Sequence, residues 1–167
     1  MTIIIDDAGY GDLLFGVVIG AYQPETERFI YDVVDVRFFQ EPQFEKKTYL
    51  DESGRIALRL VERLKPEDGE VIEVCRGDIL DRAAEALREA YGDKRVIRAK
   101  VEGRAQHLVE EAYLDEIRNL GYEPIPDRTE RWAKSFWHMY RWLRSNRGML
   151  RYAKTGWPRL KRFKLFR

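Results

Sequence analysis

The stretch IIIDDAGYGDLLFGVVIGAY, residues 3–22, constrains the fold more than any other part of the chain. It is an apolar run that ends in the adjacent carboxylates Asp6 and Asp7, passes through Gly9 and Gly11, and resumes as a second apolar run. This pattern predicts two buried strands joined by a turn. An ionised carboxylate beside a dry interior is costly unless it is paired, hydrogen-bonded or bound to a metal ion. The opening strand therefore predicts a functional site at its end.

The pattern along the chain predicts an α/β fold. The first three predicted strands, Thr2–Asp6, Leu14–Tyr22 and Phe29–Phe39, form an antiparallel meander. They are followed by a helix over Leu50–Leu64, a strand over Val71–Cys75, a helix over Asp81–Tyr91, a strand over Lys94–Val101, a helix over Gly103–Leu120 and a last helix over Arg131–Leu150. The order β-β-β-α-β-α-β-α predicts a mixed five-stranded sheet with helices on its faces.

That order is the order of the ribonuclease H-like fold, and three motifs resemble members of this superfamily. The segment IDDAGYG at Ile5–Gly11 resembles the DEAGRG motif of type 2 ribonucleases H, with Tyr10 in place of the arginine. Asp7-Ala8-Gly9 followed by Gly16-Val17 resembles the first strand and turn of RuvC-type Holliday-junction resolvases. VIEVC at Val71–Cys75 and HLVE at His107–Glu110 look like the fourth strand and the last helix of these resolvases, the latter with Glu where most relatives have Asp. The resemblance covers roughly residues 1–120.

The resemblance implies a metal-dependent nuclease that cleaves phosphodiester bonds with two divalent ions, Mg²⁺ or Mn²⁺, held by carboxylates. The implied catalytic residues are Asp6, Asp7, Glu73 and Glu110, and the implied metal ligands are these four and Glu111. Neighbouring strand residues point to opposite faces, so a regular strand turns only one of Asp6 and Asp7 inward. Asp78 competes with Glu73, since it also follows the fourth strand.

The last helix of the predicted domain leaves the role of its acids open. Its predicted core stripe is Ala105, Val109, Ala112, Glu116 and Leu120, with Glu102 near the same face. Glu110 and Glu111 lie off that stripe, so a solvated helix face is the alternative to a metal site. His107 is predicted to be an exposed helix residue rather than a catalytic one.

The net charge of +1 hides a strong asymmetry. Residues 128–167 hold 13 Lys and Arg against one acid, whereas residues 1–127 hold 28 acids against 17 Lys and Arg. A basic tail on an acidic body predicts a nucleic-acid partner (RNA, DNA or a hybrid), or a tail that docks on its own body or on a second copy. The predicted nucleic-acid contacts are Arg131, Lys134, Arg141, Arg144, Arg147, Arg151, Trp157, Lys161 and Arg162. The helical spacing of Trp132, Phe136, Tyr140 and Leu143 favours packing.

Composition narrows the classes of protein. A single cysteine, Cys75, excludes an intrachain disulfide and argues against a cysteine-based zinc site. The apolar runs are shorter than the ~20 residues of a membrane helix, and no signal peptide is evident, so we expect a soluble cytoplasmic protein without a membrane partner. The charged fraction of 35% is typical of thermophile proteins.

These observations predict a ribonuclease H-like domain over residues 1–122, a linker over 123–130 and a basic aromatic helix and arm over 131–167. The leading functional hypothesis is the metal-dependent nuclease. The alternatives are a nucleic-acid-binding module that has lost the metal site, and an interaction protein that forms a homodimer through its C-terminal helix.

Overall fold

The fold is built on one sheet whose central strand carries the two opening carboxylates. A computed structural model of the protein describes residues 1–167, except for the side chain of Trp132. The strands are β1 (Thr2–Ala8), β2 (Val17–Gln23), β3 (Arg28–Val34), β4 (Val71–Cys75) and β5 (Val96–Ala99). They lie in the order β3-β2-β1-β4-β5, in which β1 is antiparallel to β2 and parallel to β4. β2 pairs antiparallel with β3, and β4 pairs parallel with β5.

Helices cover both faces of this sheet. They are α1 (Thr48–Leu64), α2 (Asp81–Tyr91), α3 (Arg104–Asn119) and α4 (Trp132–Ser145). α1 and α2 pack on one face, and α3 packs on the other with α4 and the chain that follows it. The predicted α/β class, element order and mixed five-stranded sheet are therefore confirmed. No helix in the described part of the chain is long and apolar enough to cross a membrane.

Alternation along β1 divides the interior into two cores. Ile3 and Ile5 point into the core beneath α1 and α2. Ala8 joins the opposite core, in which Val109 and Tyr113 of α3 meet Leu143 of α4. β2 is buried along its whole length because it lies inside the sheet and is covered on both faces. The C-terminal segment, residues 128–167, thus shares a core with α3. The division of the chain into domain, linker and tail stays a prediction.

Two strand boundaries lie three or more residues from the predicted ones, and both shifts have local reasons. β2 starts at Val17 rather than Leu14, because Phe15 has a positive φ of 67° and Leu14 forms an isolated bridge to Ala153 instead. The third strand ends at Val34 rather than Phe39, because Asp35 accepts a hydrogen bond from the Arg37 N–H and starts a 3-10 turn.

The helical predictions also need correction at specific residues. In α3 the buried residues continue through Tyr113 and Ile117, whereas Glu116 is partly exposed and accepts a hydrogen bond from Tyr31. Glu102 is exposed and pairs with Lys100. The last helix ends at Ser145, and a 3-10 turn follows over Arg147–Tyr152.

The aromatic stripe predicted on the last helix is mostly a packing feature. Leu143 is buried, and Phe136 and Tyr140 are partly buried against the α3 core. The side chain of Trp132, which the same prediction includes, lies outside the described residues.

Lys154 fastens the C-terminal segment to the connection between β1 and β2. Its fully buried ammonium donates hydrogen bonds to the carbonyls of Asp12 at 2.7 Å and Leu14 at 3.2 Å. The ammonium also lies 5.5 Å from the ring centroid of Phe39. Burial lowers the pKa of Lys154 from 10.5 to about 7, with a further lowering from the Arg128 charge against an opposing effect of Asp12.

This lowered pKa predicts that stability rises with pH above about 7. Between pH 7 and about 10 the unfolded chain keeps the proton of Lys154 while the folded chain has lost it, so the slope approaches about 1.4 kcal/mol per pH unit. Lys154→Met should remove this rise, as measured by urea unfolding at about pH 7.5 and pH 9.5. The exposed Lys161→Met is the matched control and should keep the rise. The same slope in the Lys154→Met protein would contradict this assignment.

Candidate functional site

Asp6 and Asp7 both lie in β1, opposite Gly20 and Ile19 of β2, because the strand continues to Ala8 instead of ending at Asp6 as predicted. Asp6 is only 6% exposed and lies near the thiol of Cys75. Burial raises the pKa of Asp6, and the neighbouring thiol opposes the increase. Asp6 therefore lies beside β4 across the parallel pair.

Asp7 points to the other face of the strand, next to the loop that follows β4. A Cβ built at Gly77 would lie 3.1 Å from its Oδ1. The pKa of Asp7 is raised from 3.8 to about 7, first by burial and then by the charges of Asp6 and Glu110. Like charges in a poorly hydrated site disfavour full ionisation, so this is an electrostatically strained group of acids.

Gly9 forms the turn that ends this strand. Its φ is +92°, and a Cβ there would come within 2.2 Å of the Tyr113 ring. Tyr113 is fully buried and donates a hydrogen bond of 2.9 Å to the carbonyl of Leu14. Both the backbone conformation and the close approach of this ring require glycine at this position.

Glu73 lies on the same face of the sheet as Cys75 but farther from the carboxyl end of β4. Its register partners are Ile4 of β1 and Ile97 of β5, and its side chain is partly exposed. Glu73 is not among the acids whose charge raises the pKa of Asp7, which are Asp6 and Glu110. Asp78, the competing acid, is exposed in the 3-10 turn that follows β4.

The carboxylate of Glu110 is paired with Arg128, a contact that the sequence did not predict. Arg128 is 3% exposed, and its guanidinium donates hydrogen bonds to Glu110 and to the buried Asp12. The guanidinium carbon also lies 4.6 Å from the ring centroid of Tyr113. Burial raises the pKa of Glu110, Arg128 opposes this increase, and Asp12 and Asp6 add to it. Asp12 is an acid within an apolar run, as Asp6 is, and this pattern could have indicated from the sequence that Asp12 is buried beside a cation.

The two remaining predicted residues on α3 face a polar groove. Glu111 is partly exposed, and His107 is exposed. Both line the groove between α3 and the segment 123–129, together with Glu110 and Arg128. Among the residues that the structure describes, no three His, Cys, Asp or Glu side chains form a group that could hold a metal ion. The five predicted ligands are therefore not arranged as a complete metal site.

A second candidate site is the outer surface of the C-terminal segment. We call it the basic face, and it consists of eleven exposed cations: Arg131, Lys134, Arg141, Arg144, Arg147, Arg151, Arg159, Lys161, Arg162, Lys164 and Arg167. Within the described structure none of them forms a salt bridge with an acid. Eight of the nine predicted nucleic-acid contacts belong to this face, whereas Trp157 is partly buried in the α3 core.

Comparison with known protein families and with curated proteins finds no match for this chain. The resemblance to ribonucleases H and resolvases therefore rests on the motifs quoted above, and the ribonuclease H-like assignment stays a prediction.

The strained carboxylate of Asp7 predicts a gain in stability when its charge is removed. The folded state holds this proton up to about pH 7, whereas the unfolded state releases it near 3.8, so the group costs stability increasingly as pH rises between these values. Asp7→Asn should raise the free energy of unfolding at pH 8 by on the order of 2 kcal/mol, with little gain near pH 4. Urea unfolding at both pH values measures this difference.

The exposed Asp68→Asn is the control for removal of one negative charge, and we expect no such gain. A loss of stability in Asp7→Asn at pH 8 would mean that the carboxylate is satisfied by partners in the folded protein.

Proposed function

We propose that this protein binds the phosphate backbone of a nucleic acid through its basic face. The observation that carries the proposal is the set of eleven exposed cations without acidic partners on one segment. Phosphates attract such a surface, and each neutralised phosphate releases counterions. The proposal covers RNA, DNA and hybrids, since backbone contacts carry no sequence information.

The internal packing of the segment argues against the alternative that the tail neutralises its own acidic body. α4 and the turns after it are attached by apolar contacts, through residues such as Met139, Leu143 and Leu160. Only two basic side chains of the segment, Arg128 and Lys154, are buried, and both have polar partners inside. The other cations remain directed to solvent and are available to an external polyanion.

The basic face predicts a steep dependence of binding on salt. Replacing Arg141, Arg144 and Arg147 by Gln should weaken binding to a short DNA duplex. It should also reduce the slope of log affinity against log salt by up to about 2.7, because each lost phosphate contact contributes about 0.9. Fluorescence anisotropy titrations at several salt concentrations measure both quantities.

The matched control removes the same charge from the opposite side of the sheet. Arg55, Arg59 and Arg82 of α1 and α2 are exposed but paired with acids, and their replacement by Gln should leave the slope unchanged. An equal effect of both triple variants would reduce the result to net charge and contradict a defined binding face.

The second candidate function is metal-dependent cleavage of the bound strand, which the resemblance implies. One observation favours it: after burial, the charge of Asp6 raises the pKa of both Asp7 and Glu110, and the charge of Glu110 also raises that of Asp7. A divalent ion would relieve this repulsion, and when bound it would supply an activated water. Asp6 would be its first ligand, but Asp7 points to the other face of β1 and Glu110 is engaged by Arg128, so the ligand set is incomplete as arranged. We therefore derive no cleavage step.

Metal binding at these acids predicts a thermal shift. A divalent ion that binds only the folded protein stabilises it by about 2.7 kcal/mol at a hundredfold excess over its Kd. Millimolar Mn²⁺ should therefore raise the Tm of the wild type by roughly 5–10 °C. The shift and any cleavage should vanish in the variant Asp6→Asn, Asp7→Asn, Glu73→Gln, while salt-sensitive binding remains.

The control variant Asp51→Asn, Asp68→Asn, Glu85→Gln removes three exposed acids and should keep the shift. A shift that persists in the first variant would place the ion elsewhere. No shift and no cleavage in the wild type would leave binding as the function.

A further inference from the structure

Trp137 is an aromatic side chain that is not buried in the core. It lies on α4 and is 43% exposed, whereas the other described aromatic residues of the C-terminal segment are partly buried. The rings of Phe136, Tyr140 and Phe163 contact it edge-on, with centroid distances of 5.3, 5.4 and 5.5 Å. These contacts hold the indole in one orientation while much of its surface stays open to solvent.

The open side of Trp137 lines a cleft of about 270 Å³ that combines aromatic and cationic groups. Phe136 and Phe163 contribute apolar wall, and Arg159 and Arg162 contribute positive charge. The guanidinium of Arg162 lies 5.3 Å from the Phe163 ring centroid, and that of Arg159 lies 5.0 Å from the Trp157 ring centroid. No acidic residue lines this cleft within the described structure. Its occupant should therefore be flat, apolar on its faces and anionic at one end.

We propose that this cleft accepts one unpaired nucleobase against Trp137, with the adjoining phosphate on Arg159 and Arg162. The inference rests on the proposed function and names its substrate class, which is single-stranded nucleic acid or an unpaired end. Every base has a π face that an aromatic side chain can stack on, so the cleft needs no sequence preference. A base inside a duplex has both faces covered, and exposing it costs free energy. The cleft thus discriminates against duplex.

The position of the cleft links it to the opening carboxylates. Gly11, in the turn that follows Asp6 and Asp7, is one of its lining residues. A strand whose base occupies the cleft therefore lies beside the turn that leaves the carboxyl end of β1.

The test compares Trp137→Ala with the wild type on a thymidine oligonucleotide of about 12 nucleotides and on a duplex of equal length at one salt concentration. We expect single-strand affinity to fall roughly 5- to 150-fold, which is the range for loss of one stacked base. Duplex affinity and its salt slope should stay unchanged. Trp137→Phe should retain most of the affinity, because it keeps an aromatic face. Tyr31→Ala, which removes another exposed aromatic ring, should change neither affinity.

The outcomes separate this inference from the proposed function. Unchanged single-strand affinity in Trp137→Ala, with binding still salt-dependent, would overturn the cleft and leave the basic face intact. An equal loss on single strand and duplex would also overturn it, since stacking on an unpaired base would then not be the cause. Absence of binding by the wild type to either probe would overturn both proposals.

A second measurement covers the case in which Trp137→Ala fails to fold. Arg162→Gln keeps the aromatic wall and should lower single-strand affinity more than duplex affinity. Adenosine 5′-monophosphate should quench tryptophan emission of the wild type, and Arg162→Gln should weaken this quenching. Quenching by a hexaglutamate peptide but not by the nucleotide would assign the cleft to an acidic protein partner and overturn the proposal.

Discussion

The buried guanidinium of Arg128 is the interaction on which the arrangement of both candidate sites depends. It joins Asp12, in the connection between β1 and β2, to Glu110 of α3. Removing such charges from water costs several kcal/mol per ion, and only close opposite charges and hydrogen bonds offset this cost. Because Arg128 precedes α4, the pairing fixes where the C-terminal segment starts against α3. It therefore helps to determine which side of that segment faces solvent.

The C-terminal segment buries its apolar side chains and exposes most of its charged ones. Apolar residues such as Met139 and Leu143 are buried against α3, and the two buried cations have internal partners. The charged ends of the remaining cations are hydrated, and salt bridges at such exposed positions would have added little to the stability of the fold. A segment that is attached by apolar contacts can keep its positive charge free for a polyanion.

Backbone binding and cleavage make different demands on this structure. Binding requires only that the basic face stays exposed, which is the arrangement found. The cleavage mechanism that the resemblance implies would require carboxylates on β1, β4 and α3 to converge on an ion. Asp6 and Asp7 lie near the carboxyl end of the central strand. However, Glu110 is already paired with Arg128, and Glu73 lies opposite Ile4 rather than opposite either aspartate. The geometry therefore supports binding more directly than catalysis.

The sequence by itself determined the α/β class, the element order and the mixed five-stranded sheet, because apolar periodicity and turn residues are local signals. It also identified most of the basic face, since a run without acids leaves its cations unpaired wherever it lies. The tertiary structure decided which side chains meet. Arg128 and Lys154 look like other basic residues of the tail, and only the packing of residues far apart in the chain buries them beside Asp12. The same packing selects Tyr113 and Ile117 for the core of α3, and it leaves Trp137 open while Trp157 is partly covered. Periodicity gives the spacing of a helix face, but the neighbour that this face meets sets its burial.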